Sequence, residues 1–316
     1  MQNDLKIVFM GTPNFAVGVL KKMVEAGKNV VGVITAPDRP AGRGRKLMAS
    51  AVKEYALSQN LEVLQPTNLK DDSFLKELKA LNANLQVVVA FRMLPKVVWQ
   101  MPALGTFNLH ASLLPHYRGA APINWAIINK EEKTGVTTFF IDEKIDTGAI
   151  LAKNEVEIKA NETAETLHDK LMTKGGELVL ETLTLIEKGD VKTQPQPATH
   201  NLKEAPKLTP ENTRIDWSKP GASIEAFIRG LSPYPVAWTI LINNNDELKV
   251  KIYSAQFEES SHNLEIGKVE ASKKELKVAC INGFLSIEEL QLPGKRKMAV
   301  AALLNGYTFE ADSKLL

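Results

Sequence analysis

The densest chemistry in the chain is Asn108-Leu109-His110. On a strand end, residues two apart leave the same face, so an amide and an imidazole would stand side by side. Such a pair suits a carbonyl carbon becoming tetrahedral. The amide N–H donates to the developing oxyanion, and the imidazole donates or relays a proton. The competing reading is a polar strand end whose histidine bonds backbone, and spacing alone favours it. Downstream, Ile145-Asp146-Thr147-Gly148 offers a carboxylate. If it meets His110 it would fix the imidazole tautomer and raise its basicity; otherwise it is a turn residue. Ser112 follows His110 by two, but no Gly-x-Ser-x-Gly elbow surrounds it. The histidines (His110, His116, His168, His200 and His262) show no paired metal spacing, and His-Glu-x-x-His is absent, so no metal is expected.

A second signal is Pro37-Asp38-Arg39-Pro40-Ala41-Gly42-Arg43-Gly44-Arg45-Lys46-Leu47, in which Arg39, Arg43, Arg45 and Lys46 face one acid in a stretch broken by Gly and Pro. A basic loop of this kind follows a phosphate backbone, or it is a solvated surface loop. Its place after an apolar strand favours binding, because strand ends form the rim of parallel sheets. The first strand-to-helix turn, Gly11-Thr12-Pro13-Asn14, lacks two glycines of a dinucleotide fingerprint, and Pro13 removes a backbone N–H, so a nicotinamide site is not expected.

The elements that must carry these residues alternate in type. Uniformly apolar runs at Leu5–Met10, Val30–Thr35 and Leu85–Ala90 read as strands buried on both faces, hence a mostly parallel sheet covered by helices. Glu62–Leu64, Thr106–Leu109 and Val136–Ile141 read as further strands. Helical spacing starts at Phe15 with Asn14 as cap, and recurs at Ala49–Ser58, Phe74–Leu81 and Thr163–Lys188. Val191–Pro210 carries four prolines and no apolar period, as a linker would. Beyond it, Ile240–Ile242, Leu248–Tyr253, Leu276–Ala279 and Phe284–Leu290 are short strands split by turns such as Asn243-Asn244-Asn245 and Asn282-Gly283, the pattern of a small β-barrel or sandwich. The expected organisation is an α/β domain over 1–189, a linker over 190–207 and a β domain over 208–316.

A chain of 316 residues holds about two domains at roughly 150 residues each. Its 39 Lys plus Arg against 37 Asp plus Glu exclude binding of nucleic acid through bulk charge. From Lys207 onward there are 14 basic and 14 acidic residues, so the later domain would need a local patch, with Lys295-Arg296-Lys297 the obvious candidate. The one cysteine, Cys280, excludes an internal disulfide or a multi-cysteine zinc site. No apolar run approaches a membrane span, and a soluble cytoplasmic monomer is expected.

Several of these segments together resemble the methionyl-tRNA formyltransferases, a branch of the folate-dependent formyltransferases: Phe9-Met10-Gly11-Thr12-Pro13, the loop Pro37–Lys46, Asn108-Leu109-His110 through Leu113-Leu114-Pro115 to Arg118-Gly119-Ala120-Ala121-Pro122-Ile123, Asp146-Thr147-Gly148, Arg214-Ile215-Asp216-Trp217 and Leu303-Leu304-Asn305-Gly306. The resemblance implies a Rossmann-like formyltransferase domain followed by an OB-like barrel that helps hold tRNA. It implies formyl transfer from 10-formyltetrahydrofolate to initiator methionyl-tRNA, with Asn108, His110 and Asp146 catalytic. It places folate on Ser112, Leu113, Leu114 and Pro115, with Ala90, Phe91, Ile141 and Asp142 lining the pterin pocket, and it assigns Arg39–Lys46 to the tRNA acceptor end. Three departures from the family pattern stand out: Ala111 for glycine, His116 for arginine, and a segment Ala90–Pro95 one residue short with Arg92 replacing a glycine. Another folate enzyme acting on a small molecule, or a tRNA-binding protein without turnover, are the alternatives; the basic loop with the second domain, and the intact trio, argue against them respectively.

Overall fold

The computed structural model describes residues 4–41, 46–198 and 200–316. They form two compact units. The first takes in the chain up to Gly119, Lys133–Glu157 and His168–Glu204; the second takes in Ala120–Glu132, Ile158–Leu167 and Ala205–Leu316.

The elements run β1 (Ile7–Gly11), α1 (Asn14–Glu25), β2 (Val30–Ile34), β3 (Arg39–Ala41), β4 (Lys46–Met48), α2 (Ala51–Ser58), β5 (Val63–Leu64), α3 (Asp72–Ala80), β6 (Leu85–Val89), α4 (Lys96–Trp99), β7 (Thr106–His110), β8 (Arg118–Gly119), α5 (Pro122–Ile128), β9 (Lys133–Phe140), β10 (Ile150–Glu157) and α6 (Ala164–Lys188). The main sheet has the order β10-β9-β7-β6-β1-β2-β5. The five strands from β7 to β5 are parallel, and β9 and β10 extend the sheet antiparallel. Every residue of β1 and β6 is buried, as uniformly apolar strands covered on both faces must be. The structure departs from the sequence reading in several places, including the short β3–β4 pair within the expected loop and helices α4 and α5. Pro13, not Asn14, holds the N-cap position of α1, where a missing N–H costs nothing, and its carbonyl accepts from Ala16. β10 was not expected, because an edge strand reading Ile-Leu-Ala-Lys-Asn-Glu-Val-Glu buries only part of itself.

In the second unit, after β11 (Glu204–Ala205), come α7 (Gly221–Leu231), β12 (Ala237–Asn243), β13 (Asp246–Glu259), β14 (Val269–Ala271), β15 (Leu276–Cys280), β16 (Gly283–Gln291), β17 (Met298–Ala299), α8 (Val300–Leu303) and β18 (Lys314–Leu315). The sheet β14-β15-β16-β13-β12-β18 bends back on itself: Val269 N–H donates to Ser313 and Leu315 N–H to Gly267, which joins its two ends into a nearly closed antiparallel barrel. Asn244 and Asn245 both take positive φ (52° and 66°), the conformation a two-residue hairpin turn between β12 and β13 demands. The barrel core includes Ile224, Ile228, Leu241, Val250, Val278, Leu285 and Cys280. Trp217 Nε1 donates to Thr239 Oγ1 at 3.0 Å, so the indole is buried without an orphaned donor.

Cys280 is fully buried, and burial pushes its thiol up to about 11. The thiolate is the reactive species. A disulfide reagent at pH 8 should therefore leave Cys280 unmodified in the folded protein and label it completely in denaturant. Rapid labelling under native conditions would show that the barrel opens at β15.

Candidate active site

Ligands of parallel sheets bind beyond the carboxyl ends of the strands, where strand order reverses. Here β1 has β2 on one side and β6 on the other, so the reversal lies between the exits Gly11–Pro13 and Ala90–Phe91. Gly11 permits a close approach: a Cβ there would stand 2.5 Å from Ala16 Cβ and 3.0 Å from the Val89 carbonyl. β7 lies beside β6 and delivers Asn108 and His110 to the same rim.

His110 is buried, and its Nε2 lies 2.8 Å from the Tyr117 carbonyl. A carbonyl only accepts, so Nε2 carries the proton and Nδ1 is the nitrogen left for chemistry. Nδ1 faces Asp146 Oδ2 at 3.9 Å, an ion-pair separation and too long for a hydrogen bond. The structure thus brings the two residues together, but the backbone of Tyr117 sets the tautomer in the role expected of Asp146. Asp146 sits at φ 55°, and its Oδ2 also accepts the Gly119 N–H at 3.0 Å. Gly148 passes against the Phe140 carbonyl, where a Cβ would stand 1.7 Å from the oxygen, so only glycine fits the turn that presents Asp146. Asn108 is half-buried, and among the described residues its side chain has no hydrogen-bond partner.

The loop leaving β7 is held at each polar point. Ser112 Oγ donates to the His116 carbonyl at 2.7 Å, which commits the hydroxyl locally. Thr137 Oγ1 donates to the Ser112 carbonyl at 2.7 Å and accepts the Leu114 N–H at 3.2 Å. Lys153 Nζ donates to the Leu114 carbonyl, and partial burial draws its ammonium below the usual lysine range. Leu114 and Pro115 are buried, while Leu113 is half-buried. Sequence reasoning missed Thr137 and Lys153, whose contacts are long-range, and Tyr117, which acts through its carbonyl and carries no side-chain signal.

Elsewhere on the rim, Ala90 is exposed at φ 46°, and Phe91 and Ile141 pack on one apolar cluster with Met10, Val88 and Leu94. The Asp142 carboxylate closes its own turn, accepting from Lys144 N–H at 3.0 Å and Thr147 Oγ1 at 2.7 Å. The Arg92 guanidinium donates to the Thr67 carbonyl at 2.9 Å and to that of Pro66, and lies 5.6 Å from the centre of the Phe91 ring. Arg92 thereby ties the shortened β6 exit to the segment after β5.

Of the basic residues, Arg39 is exposed, whereas Arg43, Arg45 and the Lys46 side chain lie outside the described residues. The root of their loop is anchored. Asp38 accepts from Gln65 Nε2 at 2.8 Å and Lys53 Nζ at 2.7 Å, and these bonds hold its carboxyl below the ordinary range. Lys295, Arg296 and Lys297 are exposed, and Lys297 pairs with Glu289 at 2.8 Å. No three His, Cys, Asp or Glu side chains converge as a metal site among the described residues, and no helix there is long and apolar enough to cross a membrane.

An amide, an imidazole and a carboxylate at the mouth of a Rossmann-like sheet, with a barrel in the same chain, define a two-part group-transfer enzyme. The chain belongs to the formyl transferase family, whose "Formyl transferase" model matches residues 5–183 and whose "Formyl transferase, C-terminal domain" model matches residues 207–308. It is 61% identical to a methionyl-tRNA formyltransferase of Flavobacterium johnsoniae, covering 98% of this chain and 99% of that one. It is 51% identical to one of Bacteroides thetaiotaomicron, covering 99% of each. Among solved structures, the sugar 3N-formyl transferase WlaRD, crystallised with dTDP and 5-N-formyl-THF, shares the fold at TM-score 0.64 and 22% identity over 93% of this chain and all of that one. HypX of Aquifex aeolicus in complex with tetrahydrofolic acid does so at TM-score 0.64 and 19% identity over 96% of this chain and 47% of that one.

Thr137→Val keeps the side-chain shape but leaves a buried N–H and a carbonyl unmatched. It should destabilise the protein by about 1–3 kcal/mol in denaturant unfolding, with Thr137→Ser close to wild type. Equal midpoints for all three proteins would show that the hydroxyl clasp contributes nothing.

Proposed function

We propose that this protein transfers the formyl group of 10-formyltetrahydrofolate to the free amino group of initiator methionyl-tRNA, giving N-formylmethionyl-tRNA for translation initiation. The observation that carries the reading is the match of the chain, nearly end to end, to methionyl-tRNA formyltransferases at half identity or more. The working form implied is a cytoplasmic monomer needing no metal.

The rim suits a folate. Phe91 and Ile141 offer an apolar wall for a pterin ring, with Ala90 and Asp142 at its margin, and the loop of Ser112, Leu113, Leu114 and Pro115, its peptide groups already fixed by Thr137 and Lys153, would form a rigid facing edge. When bound, the folate supplies an activated formyl carbonyl. Asn108, whose side chain has no hydrogen-bond partner among the described residues, donates to the oxygen on which negative charge develops. His110 cannot use Nε2, which the Tyr117 carbonyl holds, so the proton leaving the attacking amine is taken at Nδ1. Asp146 Oδ2 faces that position and stabilises the imidazolium that results, and Nδ1 would return the proton to the folate nitrogen as the formyl C–N bond breaks and tetrahydrofolate departs. Arg39, Arg43, Arg45 and Lys46 would meet phosphates near the acceptor end of the tRNA. Lys295, Arg296 and Lys297 would add a weaker contact from the barrel, because Glu289 already engages Lys297.

The test offers wild type and Asn108→Ala 10-formyltetrahydrofolate with methionyl-tRNA, uncharged tRNA or glycinamide ribonucleotide. Wild type should formylate only the charged tRNA, and Asn108→Ala should lose about 10²–10³ in turnover with folate affinity nearly unchanged. Formylation of the ribonucleotide alone would overturn the reading, and a near-normal mutant would remove Asn108 from the mechanism.

Changing Arg43 and Arg45 together to Ala should weaken tRNA use and flatten its salt dependence, with a log–log slope lower by about 1 per lost phosphate contact. An unchanged slope would mark the loop as plain surface.

A further inference from the structure

The stretch that composition marks as a linker is fastened to the first unit. Gln194 and Ile150 exchange backbone hydrogen bonds of 2.8 and 2.9 Å. The half-buried Gln196 amide donates from Nε2 to two carbonyls on the turn that carries the carboxylate, Asp146 O at 2.8 Å and Gly148 O at 2.9 Å. Its Oε1 accepts from Arg118 Nη2 at 2.6 Å and Nε at 3.2 Å. Farther on, the Lys203 carbonyl accepts the Tyr117 N–H at 2.5 Å, and the Lys203 N–H donates to His116 Nδ1 at 3.4 Å.

These contacts fall on the two groups that surround the His110 ring. Tyr117 holds Nε2, and its own N–H is held by Lys203. Asp146 faces Nδ1, and its backbone is held by Gln196. Neither Tyr117 nor Asp146 occupies an ordinary right-handed or extended conformation, at φ 60° and 55° respectively. Such residues persist where neighbours over-determine them. We infer that the stretches 194–198 and 200–203 serve as an active-site strap through Gln194, Gln196 and Lys203, with Gln196 a positioning residue that sets Asp146 against His110. The inference rests on the formyl-transfer reading. It assigns to these stretches a catalytic task that a tether would not have.

The geometry separates the two ends of the Gln196 amide. Gln196→Met keeps the length and loses both donor and acceptor. Gln196→Glu keeps an acceptor for Arg118 and loses the donors to Asp146 and Gly148. A displacement of the carboxylate of order 1 Å is enough to cost up to about 10²-fold in rate. Both variants should lose at least about tenfold in kcat, with KM for folate and for methionyl-tRNA within about twofold of wild type and melting temperatures nearly equal. Because the loss is transmitted through Asp146, Gln196→Met placed on Asp146→Asn should cost less than about twofold further. Three results would overturn the strap: kcat within twofold of wild type in Gln196→Met, full activity in Gln196→Glu, or an undiminished effect on the Asp146→Asn background. A wild type that formylates a different amine overturns the functional reading instead, and the same ratios measured with that amine then decide the strap.

Discussion

An imidazole has two nitrogens, and in this molecule the hydrogen bond from His110 Nε2 to the Tyr117 carbonyl takes one of them. That bond confines proton exchange to Nδ1, the side on which Asp146 stands. It also obliges the chain to turn back within seven residues of β7, so that Tyr117 returns its carbonyl to the strand end it has just left. The return is bought with a left-handed backbone at Tyr117 and secured by Ser112, Thr137 and Lys153, each meeting a peptide group of the loop. The geometry of this candidate site is a matter of backbone placement, and the side chains that look most chemical depend on peptide groups that do not.

The antiparallel extension of the sheet is what supplies those supports. Thr137 on β9 is the register partner of His110 on β7, directly across the strand pair, and Lys153 lies on the next strand out, opposite Thr137. A purely parallel sheet ending at β7 would leave the 112–117 loop at an open edge, with its peptide groups facing solvent. The buried central strands β1 and β6 provide a rigid base, with about 1.5–3 kcal/mol from each fully buried large apolar side chain. The rim can then carry strained turns at Ala90, Tyr117 and Asp146 without the sheet giving way.

What could be read from the sequence follows from the range of the forces involved. The apolar runs at Leu5–Met10 and Leu85–Ala90, the helix ending at Lys188 and the asparagine hairpin at 243–245 are local patterns, and each appears within a residue or two of its expected place. That Asn108 and His110 stand two apart on one strand was legible because strand alternation is also local. β10 was not, since its charged alternation matches a partly exposed edge and not a core strand. Gln196 was not legible either. Its neighbours Pro195 and Pro197 mark the stretch as a linker, and nothing in the composition reveals that an amide fifty residues from Asp146 meets the Asp146 carbonyl. The resemblance pointed to Asp146, while its separation of 3.9 Å from His110 and the hydrogen bond to the Tyr117 carbonyl required coordinates.

Charge shows the same division between count and place. The barrel half of the chain is neutral by tally, but a tally does not say which cations keep a free field. Lys277, Lys297 and Lys314 are paired with Glu258, Glu289 and Glu265. Exposed pairs of this kind add about 0–1 kcal/mol to stability, so their main effect is to cancel one another's field at short range. The Lys295-Arg296-Lys297 triplet is thus less basic than it reads, because Glu289 on the neighbouring strand faces its last member. On the first unit the arrangement is reversed. Asp38, the one acid of the basic loop, is bonded by Gln65 and Lys53 at the loop's root, so its charge is matched there and does not offset the exposed Arg39. A polyanion approaching a nearly neutral protein would therefore meet an exposed cation at Arg39 that Asp38 does not neutralise, whereas Lys297 on the barrel is already engaged.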